Sequence, residues 1–158
     1  MKYLILLLLL STPALAEVSL SAGIGKGALY HNGTPFERSA AIGYQYNFKH
    51  DFFIRPEVGW FMDNSGNGKT SFWAAPLLGV SALSTVGPEL HVALGPGYLQ
   101  HPDEILGGHF QFSLEGGVGI TSKNAYVGLA WKHLSSGGIT QPNRGRDFIM
   151  VQLRLLQL

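Results

Sequence analysis

Apolar residues recur at every second position along nearly the whole chain, the period of an extended strand whose successive side chains face opposite ways. Val18, Leu20, Ala22 and Ile24 alternate with Ser19, Ser21, Gly23 and Gly25. Phe36, Ala40, Ile42, Tyr44, Tyr46 and Phe48 alternate with Glu37, Ser39, Ala41, Gly43, Gln45 and Asn47. The same beat continues through 52–62, 72–80, 90–98, 110–120, 125–135 and 149–155. It predicts eight strands of about 9–13 residues, the length a tilted membrane strand needs.

The two faces of these strands differ in kind. In a soluble sandwich the apolar face is inside and the polar face is wet. Here the apolar face is bulky and aromatic, and the other carries Gly, Ser, Gln and single charges such as Arg55, Glu57, Glu89 and Glu115. The pattern predicts an all-β fold, an eight-stranded antiparallel transmembrane β-barrel of the outer-membrane type with a packed polar interior. Connections near 49–50, 83–85 and 121–123 are short, and those near 27–35, 63–70, 99–107 and 136–146 are longer. Short periplasmic turns and longer external loops are expected of such a barrel. Pro56, Pro76 and Pro96 are awkward in a ladder and are expected at strand ends or bulges. Trp60, Tyr44, Tyr46, Phe48 and Trp131 are expected as interfacial girdle residues.

Composition agrees with this class. The chain begins with Lys2, an apolar run from Tyr3 to Leu10 and a small-residue ending at Ala14-Leu15-Ala16. These are the parts of a secretory signal peptide removed after Ala16, leaving residues 17–158 as one barrel domain bound for the bacterial outer membrane. The chain has no cysteine, 21 glycines and only 13% charged residues, against roughly 25% in an average soluble domain. A net charge of +1 gives no field suited to nucleic acid. His31, His50 and His101 fall in expected loops, and His91 and His109 are expected to face the lumen. Their spacing, even with Glu115, matches no metal-ligand pattern. Gly25-Lys26-Gly27 is too short for a phosphate loop. No metal or cofactor is implied.

The seventh strand carries the chemistry. Its apolar stripe, Ala125, Val127, Leu129 and Trp131, ends in His133 and Ser135 on the same face. A serine hydroxyl becomes a useful nucleophile when an adjacent base takes its proton. An imidazole serves best when a carboxylate holds its other nitrogen. Asp147 begins the last strand with the parity of Ile149 and Val151, so a hairpin would bring it beside His133 on the outer face. Strand seven runs outward, which puts the group near the outer leaflet. A nucleophile on the wall that meets hydrocarbon suggests a lipid substrate. In the intervening loop, glycines let backbone amides approach an oxyanion, Asn143 offers a side-chain donor, and Arg144 and Arg146 suit phosphates.

His-x-Ser, a Gly-rich step, Gln141-Pro142-Asn143-x-Gly145 and an acid at the head of the final strand resemble the PagL lipid A 3-O-deacylase family. The close match covers about 20 residues. The resemblance implies an outer-membrane esterase that removes the 3-O-acyl chain of lipid A, with lipopolysaccharide and outer-membrane lipids as its partners. It assigns the nucleophile to Ser135, the base to His133 and the acid to Asp147, with Asn143 and Gly138 near the oxyanion. Asp147 stands where the family usually has Glu, and Ser136 where it usually has Asn. A homodimer is compatible with the sequence. Two other readings stay open: a non-catalytic structural or adhesive barrel, and an outer-membrane phospholipase or broader esterase.

Overall fold

The computed structural model describes residues 15–27, 36–48, 51–62, 70–82, 86–103 and 105–156. Residues 1–14 of the expected leader, His31, His50 and most of the expected 63–70 loop lie outside them. The eight strands are β1 (Leu15–Gly27), β2 (Glu37–Asn47), β3 (Phe52–Met62), β4 (Thr70–Ala82), β5 (Gly87–Leu99), β6 (Phe110–Thr121), β7 (Ala125–Ser135) and β8 (Arg146–Leu156). Each pairs antiparallel with its neighbour in sequence, and β1 pairs with β8 to close the barrel. Closure leaves no unpaired edge, which is what a sheet needs inside a bilayer.

Parity divides the wall as the sequence alternation predicts. Ile42, Val58, Leu78, Leu94, Ile120, Val127 and Val151 point outward and are exposed, while Arg55, Glu57, Glu115, Lys132 and Arg154 are buried in the lumen. The buried charges are matched. Glu115 accepts from Arg55 and lies 3.1 Å from both Lys132 Nζ and His91 Nε2. Lys132 also meets Glu57, and Arg154 bridges Glu89 and Glu17. Aromatic rings fill the remaining space where the facing wall is thin. The Trp73 indole lies over Gly59, where a Cβ would come within 2.5 Å of it.

Two expectations need correction. The prolines sit in mid-strand, at outward positions, rather than at ends or bulges. Pro56 is the partner of Pro76, and Pro96 of Phe112. The β2–β3 ladder lapses between Gly43↔Glu57 and Tyr46↔Ile54, and the β4–β5 ladder between Ala74↔Tyr98 and Leu78↔Leu94. Both resume in the same register, so the missing N–H groups fall in gaps and no residue is inserted. His109 is exposed outside the lumen, because it precedes β6: its Nδ1 lies 2.8 Å from Leu99 O and its ring stacks on Tyr98.

At the long-loop end of the barrel, described residues of the segment joining β5 to β6 pack against the lumen. Leu106 is fully buried in the apolar cluster beneath it. Asp103 Oδ1 accepts from Ile105 N (2.8 Å) and Leu106 N (2.9 Å), and Gln111 Nε2 donates to Leu106 O at 3.1 Å.

Because Glu115 is shared by Arg55, Lys132 and His91, Glu115→Ala leaves Arg55 and Lys132 short of a counter-charge in a dry interior. We expect a loss of about 3–5 kcal/mol in folding stability, read as urea-induced unfolding of the vesicle-inserted barrel. Substitution of the outward neighbour Leu114 by Val should cost far less in the same assay.

Candidate active site

Antiparallel pairing of β7 with β8 sets His133 directly opposite Asp147 and Trp131 opposite Ile149. On its other side, β7 sets Leu114 opposite His133 and Phe112 opposite Ser135. His133, Ser135 and Asp147 therefore share the outward face at the long-loop end of the wall. His133 Nδ1 lies 3.0 Å from Asp147 Oδ1, with side-chain exposures of 29% and 11%. With the carboxylate accepting from Nδ1–H, Nε2 keeps its lone pair free. Ser135 Oγ has no hydrogen bond among the described residues; contacts of this kind often tighten only when substrate is bound.

Two neighbours shape this pair that the motif alone does not reveal. Trp131 Nε1 donates to the same Asp147 Oδ1 at 2.9 Å, and the indole stacks on the imidazole with centroids 5.8 Å apart. Trp131 is thus more than a girdle residue. The signal for it was its position two residues before His133, on the same face. Gly145, at φ +71°, lies under the ring: a Cβ there would stand 2.6 Å from His133 Cε1.

The loop from β7 to β8 is folded on itself. Ser136 N donates to Asn143 Oδ1 at 2.8 Å, Ser136 Oγ donates to Thr140 O at 3.0 Å, and Ile139 N donates to Ser136 O at 3.1 Å. Asn143 therefore spends its carbonyl on the loop, and its Nδ2 group has no partner among the described residues. Gly138, at φ +85°, has nothing within 4 Å of where a Cβ would be, so its backbone faces open space. Arg144 is exposed, and its N–H donates to Ile105 O at 2.9 Å. Arg146 was expected to suit a phosphate, and this is corrected. It points into the lumen, fully buried, and is held by Glu37 and Asp103, because its parity is opposite to that of Asp147.

Below Trp131 the outer wall is hollowed. An apolar groove of roughly 600 Å³ runs over Gly116 and is bordered by Val92, Val118, Leu129, Trp131 and Ile149. Gly116 is an outward position without a side chain, and a Cβ there would meet nothing within 4 Å. Among the described residues no group of three or more His, Cys, Asp or Glu could hold a metal ion.

The family model described as lipid A 3-O-deacylase (PagL) matches residues 40–155. No curated protein matches the chain in sequence. Among solved structures, the outer-membrane enzyme PagL is similar at TM-score 0.62 and 19% identity, covering 87% of this chain and 97% of that one. Neisserial surface protein A is similar at TM-score 0.64 and 14% identity, covering 89% of this chain and 96% of that one. A de novo designed transmembrane β-barrel is similar at TM-score 0.61 and 16% identity, covering 93% and 98%. At these identities the structural likeness is one of fold, that of small outer-membrane barrels.

Gly145→Ala should push the imidazole off Asp147 while the barrel still forms. The expected readout is loss of the carboxylate-bonded Nδ1–H proton resonance of His133, with heat-modifiable electrophoretic mobility retained. Persistence of that resonance would show that the ring does not need the space.

Proposed function

Because the chain belongs to the lipid A 3-O-deacylase (PagL) family, we propose that it hydrolyses the 3-O-acyl ester of lipid A with Ser135 as nucleophile, His133 as base and Asp147 as orienting acid. The observation that carries this reading is the 3.0 Å contact of His133 Nδ1 with Asp147 Oδ1 on the lipid-facing wall. A polar pair on that face is costly to keep in hydrocarbon, and a reaction on a membrane-embedded ester explains its presence.

In the reaction, Ser135 Oγ attacks the ester carbonyl carbon, and its proton passes to His133 Nε2. The carbonyl electrons move onto oxygen, giving a tetrahedral oxyanion within reach of Asn143 Nδ2 and backbone amides near Gly138. Collapse expels the sugar oxygen, which takes the proton from His133 and leaves as the free 3-hydroxyl. A water molecule then gives a proton to His133 and attacks the acyl-serine. Return of that proton to Ser135 Oγ releases the fatty acid. Asp147 stays ionised throughout, fixing the Nδ1–H tautomer and stabilising the imidazolium. The substrate lies beside the barrel rather than within it, its acyl chain running down the groove over Gly116 and its sugar beneath Arg144.

Mass spectrometry of lipid A from cells with and without the protein tests the activity. Loss of one 3-hydroxyacyl chain is expected; release of phospholipid fatty acids with lipid A unchanged would favour a phospholipase, and no lipid change a non-catalytic barrel. Ser135→Ala should fold and lose at least about 10³-fold in rate, and Asp147→Asn about 10²–10⁴-fold through the wrong tautomer. A deacylating Ser135→Ala barrel would remove the assigned nucleophile. Gly116→Leu fills the groove floor and should lower kcat/KM for long acyl chains by about tenfold relative to short ones.

A further inference from the structure

The lipid-facing strand positions are almost free of charge, and the exceptions are not scattered. Among the described residues, the only Lys, Arg, His, Asp and Glu at outward strand positions are Lys26, Arg38, His133 and Asp147. All four stand at the long-loop end, on the four contiguous strands β7, β8, β1 and β2. Lys26 is the cross-strand partner of Asp147 on the side away from His133. Arg38 is the partner of Ile24, which makes it the diagonal neighbour of Lys26 on the same face, a separation long side chains span.

Neither cation is used by any other described residue. Every luminal Arg and the luminal Lys132 has a carboxylate partner, whereas Lys26 and Arg38 have no ion pair or side-chain hydrogen bond among the described residues. Lys26 sits opposite Asp147 without forming a salt bridge to it, and Asp147 Oδ1 is shared by His133 and Trp131. Outward positions on β3 to β6 carry no counterpart, so this is not a belt of anchors around the whole rim. Both residues also precede the 40–155 span that the family model matches.

We infer that Lys26 and Arg38 form an anion subsite that takes a phosphate of the lipid A headgroup and so fixes which way the substrate lies across the site. The inference rests on the lipid A reading above. The geometry gives the orientation a direction. The apolar groove runs from Trp131, two residues before His133, toward β6 and β5, and the two cations lie on the β1–β2 side, so a phosphorylated sugar centred over β7–β8 would place its acyl chain and its phosphate on opposite flanks. A guanidinium suits a phosphate bidentately, and an ammonium adds a point charge.

The test uses the full barrel in detergent micelles with bisphosphorylated and phosphatase-treated lipid A. The wild-type protein is expected to prefer the bisphosphorylated substrate by about tenfold in kcat/KM, carried by KM, and Lys26→Gln/Arg38→Gln should bring that ratio close to one. A ratio left unchanged by the double substitution overturns the subsite. Equal losses on both substrates overturn it as well, since they would mean that Lys26 acts through Asp147 or through folding. Binding to Ser135→Ala separates this inference from the esterase reading. Phosphate-dependent binding that needs Lys26 and Arg38 supports the subsite even if no acyl chain is ever released. Equally tight, equally cation-dependent binding to phosphatidylglycerol vesicles without lipid A would show a general headgroup anchor and overturn it.

Discussion

A closed barrel wall is one residue thick, so each strand position must face either the lumen or the lipid, and no third environment exists in which a polar group can be buried. Both halves of this molecule answer to that constraint. Inside, charges are kept by matching them, with Glu115 shared among Arg55, Lys132 and His91. Outside, water and counter-ions are scarce, and polar atoms must satisfy one another within the wall's own surface. Asp147 Oδ1 does so by accepting from both His133 and Trp131.

The outer group depends on the inner one through register. A slip of one residue between β7 and β8 would turn His133 inward and Lys132 outward. It would break the luminal ion network and the site together, because Lys132 is bound to Glu57 and Glu115 while its neighbour faces Asp147. At the head of β8 the same coupling recurs. Arg146 is fixed inward by Glu37 and Asp103, and the next residue, Asp147, is thereby aimed outward at His133. Asp103 also caps the segment whose Ile105 carbonyl accepts from Arg144 N. The loop carrying Gly138 and Asn143 is thus braced from outside itself, the preorganisation that the proposed oxyanion role of these residues calls for.

Period-two alternation is strong enough to reveal the strands, their faces and the alternating loop lengths, because burial in lumen or lipid enforces it residue by residue. The shared face of His133, Ser135 and Asp147 follows from the same arithmetic plus the hairpin. What escaped the sequence depends on register across strands or on exact strand ends. Trp131 reads as a girdle aromatic until β8 is aligned beside it and its indole nitrogen finds Asp147. Arg146 reads as a phosphate ligand until the strand is known to begin with it, which turns it inward. His109 belongs to β6 by parity alone, yet the strand starts one residue later. The prolines look like interruptions because a single strand does not show that Pro56 lies opposite Pro76, where the neighbouring ladder can lapse without shifting.

The short carboxylate at position 147 is intelligible in this setting. A directly opposed cross-strand pair has its Cβ atoms about 4.5–5.5 Å apart, close enough for an aspartate to reach the near nitrogen of an imidazole without an extra methylene. A longer acid would have to fold back or tilt the ring. The aspartate is then held by Trp131 Nε1, and the ring by the indole face on one side and the absence of a side chain at Gly145 on another. Position 147 is therefore specified jointly with 131 and 145. The compactness of the acid, the donor beside it and the bare glycine form one packing solution, and changing any one of them alone alters where Nε2 points.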